Sequence, residues 1–327
     1  MKQGDNALLE MKGVNKTFCI RSKKLGEKPQ RLHALSDINL KIFRGETLGV
    51  IGESGCGKST LARCIVGLHT IDSGSIYFDG TPLNYSGANG ISMRKRIQMI
   101  FQDPYSSLNP RKTCLSTIEE PYIIHGLLKD AKERQRRVEE IMRVVGLDAQ
   151  HVHRYPHEFS GGQRQRINIA RALTLHPDLL VCDEPVSALD VSIQAQVLNL
   201  LSDLQREFQL TYIFISHDLS IIKHISDRVA IMYLGRLIEL CKAERVYDDA
   251  MHPYTKALLS AIPPDSPFEE KTAVELKGEI PSPIGEQIGC PLASRCPYCM
   301  DLCKKECPPL KEEKPDHYVA CFLYEKQ

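Results

Sequence analysis

A glycine-rich segment at residues 52–60 constrains the fold of this chain more than any other feature. It reads GESGCGKST and fits the pattern G-x-x-x-x-G-K-[ST], directly after an apolar strand and directly before a helix. Glycines let backbone N–H groups point at phosphate oxygens there, and the helix presents the positive end of its dipole. Lys58 is expected to reach the β- and γ-phosphates of a nucleotide, and the Ser59 hydroxyl is expected to ligate Mg²⁺. The predicted nucleotide contacts in this segment are Gly52, Ser54, Gly55, Cys56, Gly57, Lys58, Ser59 and Thr60.

Apolar runs alternate with helical patterns along the first 250 residues. Residues 34–51 and 228–240 are each expected to hold two strands, the latter pair with Gly235 in its turn. The predicted strand regions are 8–20, 34–51, 178–183, 211–215 and 228–240, and the predicted helices are 57–68, 129–147 and 191–209. Strands that alternate with helices in this way predict an α/β fold with a mostly parallel sheet.

Charge and hydropathy exclude several classes of protein. The 327 residues include 42 Lys and Arg against 41 Asp and Glu, and this formal charge of +1 argues against nucleic-acid binding through bulk charge. No run approaches the roughly 18 apolar residues that a membrane-spanning helix needs, and the first residues lack the layout of a secretion signal. The chain is therefore expected in the reducing cytosol.

Two adjacent acids end a predicted strand in the segment VCDEP at 181–185. In a chain with a phosphate loop, Asp183 is expected to hold the Mg²⁺ shell. Glu184 is expected to polarise the water that attacks the γ-phosphate. The pair therefore predicts a nucleoside triphosphatase.

Four further motifs appear in a fixed order around these acids, and together with them resemble the ABC ATPases. They are FQDP with Gln102, FSGGQ at 159–163, SALD at 187–190 and ISHD with His217. FSGGQ resembles the LSGGQ signature of that family, with Phe159 in place of Leu. The resemblance implies a nucleotide-binding domain at 6–250 with a parallel P-loop core, an antiparallel β-subdomain and a helical subdomain at about 103–175.

The resemblance also implies a role for each motif. Gln102 senses the γ-phosphate and joins Ser59 and Asp183 at Mg²⁺, His217 contacts the γ-phosphate, and Phe18 stacks on adenine. The family works as a head-to-tail dimer in which each signature faces the partner's phosphate loop and the D-loop crosses the interface. The signature residues are Ser160, Gly161, Gly162 and Gln163, and the D-loop residues are Ser187, Ala188, Leu189 and Asp190.

Three segments resemble one branch of that family, the ATPases of oligopeptide and dipeptide importers, and the third of them is the cysteine-rich tail described below. QMIFQDPYSSLNPR at 98–111 is closest to the F-type subunit, and MHPYTKALLSAIP at 251–263 is similar to the branch's His-Pro-Tyr extension. The implied partners are two membrane permeases, an extracellular substrate-binding protein and a second ATPase, either a D-type sister or a second copy. The implied location is the cytoplasmic face of the membrane. Importers of nickel and other small solutes belong to the same branch, and a soluble ABC ATPase is the alternative from another class.

Six of the 12 cysteines crowd into the last 40 residues, after a Pro- and Gly-rich linker at 263–291. A cysteine cluster in a reducing compartment favours a metal site over disulfides. The branch pattern maps onto Cys290, Cys296, Cys303 and Cys321 and implies a [4Fe–4S] cluster with a structural role. Zn²⁺ is the alternative, because Cys299 and Cys307 add zinc-like spacings, with His317 as a further ligand or an ordinary surface residue. Thiols that bind no metal are the third possibility. Residues 251–327 are thus expected to form an extension whose cysteine-rich tail begins at 288.

Overall fold

The computed structural model describes residues 7–20, 29–261, 274–282, 284–285 and 288–325. Its strands are β1 Ala7–Ile20, β2 Gln30–Phe43, β3 Thr47–Ile51, β4 Ser73–Phe78, β5 Thr81–Pro82, β6 Ile97–Ile100, β7 Leu179–Asp183, β8 Thr211–Ile215, β9 Arg228–Tyr233, β10 Arg236–Lys242, β11 Lys311–Lys314 and β12 His317–Val319. Its α-helices are α1 Lys58–Ile65, α2 Gly87–Arg96, α3 Cys114–Ile124, α4 Ala131–Val144, α5 Gly161–Leu173, α6 Val191–Phe208, α7 Leu219–Ile225, α8 Ala243–Asp248, α9 Pro253–Ser260 and α10 Asp301–Lys305. The described residues fall into two compact units.

The first unit takes its described residues from 1–42, 47–82 and 216–327. It holds an antiparallel sheet in the order β2-β1-β4-β5 and a second set of strands in the order β11-β12-β10-β9-β3. Strands β3 and β9 are parallel, and all five residues of β3 are buried, as expected for a strand covered on both faces. The cysteine-rich tail therefore lies in the same unit as the phosphate loop.

The second unit takes its described residues from 43–46 and 83–215. Its strands run parallel in the order β8-β7-β6 and are joined through α5 and α6. Helices α3, α4 and α5 pack on one another as a helical layer. Because parallel strands end at the same edge of a sheet, the segments after β6 and β7 meet there, and they carry Gln102 and Glu184.

The structure confirms the α/β class, the parallel core and the antiparallel sheet. Every predicted strand region and helix forms, with ends that differ by a few residues; the helix predicted at 129–147, for example, spans Ala131–Val144. Parts of the predicted linker, at 263–273, 283 and 286–287, lie outside the described residues. Within the described part of the chain, no helix is long and apolar enough to cross a membrane.

Candidate nucleotide site and cysteine cluster

The phosphate loop follows β3 and leads into α1, as its pattern predicts. Lys58 is buried, and its Nζ donates to the carbonyl oxygens of Gly52 at 2.6 Å and Glu53 at 3.0 Å. Gly57 has a φ of 109°, and a Cβ there would lie 2.4 Å from the Ala34 carbonyl oxygen. Only glycine fits this position without displacing backbone, so the loop's path depends on it.

The other predicted contacts in this loop differ in exposure. Ser54 and Gly55 are exposed at the loop's tip, and the side chains of Ser59 and Thr60 are half-buried in the first turn of α1. Cys56 is buried, and burial raises the pKa of its thiol, which therefore stays protonated and inert near neutral pH. Exposed and half-buried polar groups at a helix start suit contact with an anion.

The predicted base, Glu184, lies in the second unit and contacts Gln102 directly. Gln102 Nε2 donates to Glu184 Oε2 at 2.8 Å. Asp183 is buried at the end of β7, whereas Glu184 is half-buried. The Glu184 backbone has a φ of 47°, a left-handed conformation that costs a non-glycine residue about 1 kcal/mol or more and is enriched at functional sites. The structure thus adds a contact between Gln102 and Glu184 that the sequence did not predict.

The residues of FSGGQ form the start of α5. The Ser160 Oγ accepts from Gln163 N at 3.3 Å, and Gln163 Oε1 accepts from Ser160 N at 2.9 Å, which makes a capping box. A Cβ on Gly162 would lie 2.4 Å from Ile193 Cγ2, so this glycine allows α5 to approach α6. Gln163 therefore has a structural role that the sequence pattern did not reveal.

Comparisons with known proteins match two parts of this chain to protein families. Residues 35–187 match the ABC transporter family, and residues 238–303 match the C-terminal region of oligopeptide/dipeptide transporters. The oligopeptide transport ATP-binding protein AppF of Bacillus subtilis is 50% identical over 97% of this chain and 97% of its own length. The dipeptide transport ATP-binding protein DppF of Haemophilus influenzae is 49% identical over 96% of each chain.

The chain belongs to the ATP-binding subunits of oligopeptide/dipeptide ABC transporters. It is an ATPase that energises ABC transport. Among solved structures, a dimeric ATP-binding cassette in a post-hydrolysis state with ADP and Pi is 30% identical, with a TM-score of 0.62. The alignment covers 72% of this chain and 98% of that one.

The remaining family motifs occupy exposed or half-exposed positions. Ser187, Ala188 and Asp190 of the D-loop are exposed, and His217 is exposed just before α7. Phe18 is half-buried rather than part of the core, with the His69 ring edge-on at 5.2 Å and Lys16 Nζ 5.3 Å from its centroid. These positions are compatible with the predicted roles, which stay predictions.

The phosphate loop also contacts side chains that sequence reasoning did not single out. The Tyr254 hydroxyl, on α9, accepts from Glu53 N at 2.8 Å. Arg295, from the cysteine-rich tail, forms an ion pair with the Glu53 carboxylate at 3.0 Å. Tyr254 belongs to the His-Pro-Tyr segment, so the sequence marks it as part of a motif. No local pattern in the sequence connects residue 295 with residue 53.

Four tail cysteines line one small cavity in the first unit. They are Cys290, Cys296, Cys303 and Cys321. Cys299 and Cys307 are not among its lining residues. Burial raises the pKa of the Cys290 thiol to about 12 and of the Cys321 thiol to about 11. A metal that binds here would therefore displace thiol protons.

The spacing of these sulfurs bears on what the cavity could hold. Thiolates around a single Zn²⁺ lie about 3.8 Å apart, given a Zn–S bond of about 2.3 Å. Among the described residues, no three cysteine sulfurs lie within 4.8 Å of one another. The four thiols therefore share one cavity without being gathered around a single point.

The expectation that His317 is an ordinary surface residue is wrong. Its side chain is fully buried, and its Nε2 lies 2.7 Å from Glu239 Oε1. Glu239 also accepts from the backbone N–H groups of Met251 and His252. Cys241 completes a buried trio whose ligand atoms lie within 4.8 Å of one another. Because β12 and the start of α9 both bond to Glu239, this carboxylate joins the tail and the His-Pro-Tyr segment to β10.

Proposed function

We propose that this protein hydrolyses ATP to drive the import of oligopeptides or dipeptides at the cytoplasmic face of the membrane. The observation that carries the proposal is the reach of the similarity, which extends over nearly the whole chain, tail included, in both oligopeptide and dipeptide subunits. The division into a cassette at 6–250 and an extension at 251–327 is part of this proposal. Import of nickel or another small solute, and a soluble ABC ATPase, are the competing functions.

The motifs of the ABC transporter family suggest a step for each charged group. Lys58 would bind the β- and γ-phosphates, and Mg²⁺ would be held by Ser59, Gln102 and Asp183. Glu184 would orient and deprotonate the attacking water while the hydrogen bond from Gln102 holds its carboxylate. His217 would stabilise charge on the γ-phosphoryl group.

A second ATPase subunit would complete this site. Helix α5 begins at the signature, where the N–H groups of its first turn are a natural anion site. The exposed D-loop and the dimeric cassette found among similar structures support a head-to-tail pair. The partner is a D-type sister or a second copy of this chain.

The permease contact is supported by apolar side chains at the end of α3. Ile123 and Ile124 are 55% and 71% exposed, next to the exposed Leu127. Clustered exposed apolar residues mark protein interfaces more often than solvated surface. The complex would also include an extracellular substrate-binding protein, which this chain would not touch.

The four cysteines of the tail cavity would hold a [4Fe–4S] cluster, with Zn²⁺ as the alternative. Such a cluster would supply a covalent cross-link among tail segments that are too small to form a core of their own. The protein's own contribution is the placement of the four thiols around one cavity.

Membrane association of the Ile124→Asp variant separates the importer from a soluble ABC ATPase. With the permeases co-expressed, the parent protein is expected in the membrane fraction, and the variant is expected to lose most of that association because a charge disrupts the apolar contact. Ile91→Asp is the matched control, since Ile91 is 52% exposed on α2. A parent protein that stays in the soluble fraction would contradict the importer function.

A further inference from the structure

One residue of the phosphate loop, Glu53, contacts two segments that lie far from it in sequence. The Arg295 guanidinium reaches its carboxylate with Nη1 at 3.0 Å from Oε2 and Nη2 at 3.5 Å from Oε1. The Tyr254 hydroxyl accepts from its backbone N–H at 2.8 Å. Both the main chain and the side chain of Glu53 are therefore held by the C-terminal extension.

Arg295 is itself held firmly. Its side chain is only 10% exposed, and Nη1 also lies 3.4 Å from the Tyr233 hydroxyl. The Tyr233 and Tyr254 rings pack on each other with centroids 4.6 Å apart, and both tyrosines are fully buried. A two-pronged guanidinium–carboxylate pair on a rigid aromatic support fixes direction as well as distance.

The turn that carries Arg295 belongs to the cysteine cluster. Arg295 N and Cys296 N both donate to the Leu292 carbonyl oxygen, and Ala293 N donates to the Cys290 carbonyl oxygen. Arg295 thus lies in the short turn between two of the cysteines that line the tail cavity. The backbone hydrogen bonds of this turn therefore fix the main chain from which the Arg295 side chain extends.

We propose that Arg295 is a positioning residue of the phosphate loop, so that the cysteine-rich tail sets the affinity of the nucleotide site. The proposal rests on the function proposed above for the phosphate loop. The Lys58 ammonium group donates hydrogen bonds to the carbonyl oxygens of Gly52 and Glu53. These two carbonyl groups flank the Glu53 N–H, which donates to the Tyr254 hydroxyl. Contacts that fix Glu53 therefore also fix the carbonyl groups to which the Lys58 side chain donates.

Charge gives Arg295 a second effect on the bound nucleotide. Glu53 places a carboxylate in the loop that binds a triphosphate, and an unpaired carboxylate there would repel the ligand. Arg295 neutralises that carboxylate in a site that is only partly exposed to solvent. Removal of the guanidinium should therefore weaken ATP binding, and removal of the carboxylate as well should restore only the part of the affinity that charge repulsion costs.

The test is calorimetric binding of Mg²⁺ and a non-hydrolysable ATP analogue to the full-length protein. Arg295→Met is expected to raise the Kd about tenfold. The double variant Glu53→Gln with Arg295→Met is expected to recover only the share of this loss that comes from the unpaired carboxylate. Arg295→Lys should lie between Arg295→Met and the parent. In steady-state hydrolysis, Arg295→Met should raise KM for ATP and leave kcat within about twofold, because Glu184 is untouched.

Two controls separate this inference from the function on which it rests. Lys304→Met removes an exposed tail cation that pairs with Asp301, and it should leave the Kd unchanged. Lys58→Ala should abolish binding if the phosphate loop holds the nucleotide, and unchanged binding in that variant would overturn the proposed function itself. If Lys58→Ala weakens binding but Arg295→Met does not, only the positioning role is overturned.

The metal content and the thermal stability of each variant complete the comparison. Both should match those of the parent, because Arg295 is not one of the cysteines that would bind the metal. A loss of affinity that follows the loss of tail metal or of thermal stability would mark Arg295 as merely structural. Full recovery in the double variant would show a charge effect without positioning, and either result would overturn the inference.

Discussion

The Glu184→Gln variant is expected to bind ATP with near-parental affinity and to hydrolyse it about a hundred- to ten-thousandfold more slowly. Glutamine has the same size and can keep a hydrogen bond with Gln102, which lies 2.8 Å from the carboxylate. It cannot accept the proton of the attacking water. The loss should therefore appear in kcat, measured by phosphate release, while nucleotide binding stays intact.

Glu207→Gln is the matched control for this substitution, because it removes an exposed carboxylate from the same unit at the end of α6. It should hydrolyse ATP at the parental rate. Near-parental hydrolysis by Glu184→Gln would overturn the assignment of the general base. The left-handed backbone at Glu184 would then need another explanation.

Single serine substitutions at Cys290, Cys296, Cys303 and Cys321 are each expected to remove the metal cluster from the tail. The anaerobically purified parent should contain about four iron and four acid-labile sulfide per chain, with visible absorption. Each variant should contain clearly less iron and sulfide than the parent, because the loss of one of four thiolate ligands weakens the binding of the cluster.

Cys299→Ser and Cys307→Ser are the matched controls, since neither residue lines the cavity with the other four. Both should keep the iron and sulfide of the parent. Stoichiometric zinc without iron would contradict the cluster and redirect the ligand search to Cys299 and Cys307. It would leave the ATPase assignment intact, because the phosphate loop and the acids do not depend on the tail metal.

The sequence predicted the strand, loop and helix around the phosphate loop because the signals for them are local. A phosphate loop needs glycines, a lysine and a hydroxyl at fixed spacing, and the strand before it and the helix after it carry their own patterns. The acids of VCDEP end a strand whose burial is visible in its composition. The hydrogen bond between Gln102 and Glu184 was not predicted, because motif order gives the expected role of each residue but not which side chains touch.

Contacts between distant segments could not be predicted in the same way. Nothing near His317 in the sequence indicates that it is buried next to Glu239 on β10, so it has the pattern of a surface histidine. Arg295 lies 242 residues from Glu53, and only the folded chain brings the two together. Such pairs depend on tertiary packing, which hydrophobic periodicity and local motifs do not encode.

Uptake of labelled peptides by cells that lack this protein tests the central claim most directly. The deletion strain should fail to accumulate labelled di- to pentapeptides, and the parent gene should restore uptake while Glu184→Gln does not. Labelled nickel taken up in parallel should be unaffected. Peptide uptake that is unchanged in the deletion strain, or a defect confined to nickel, would contradict the account.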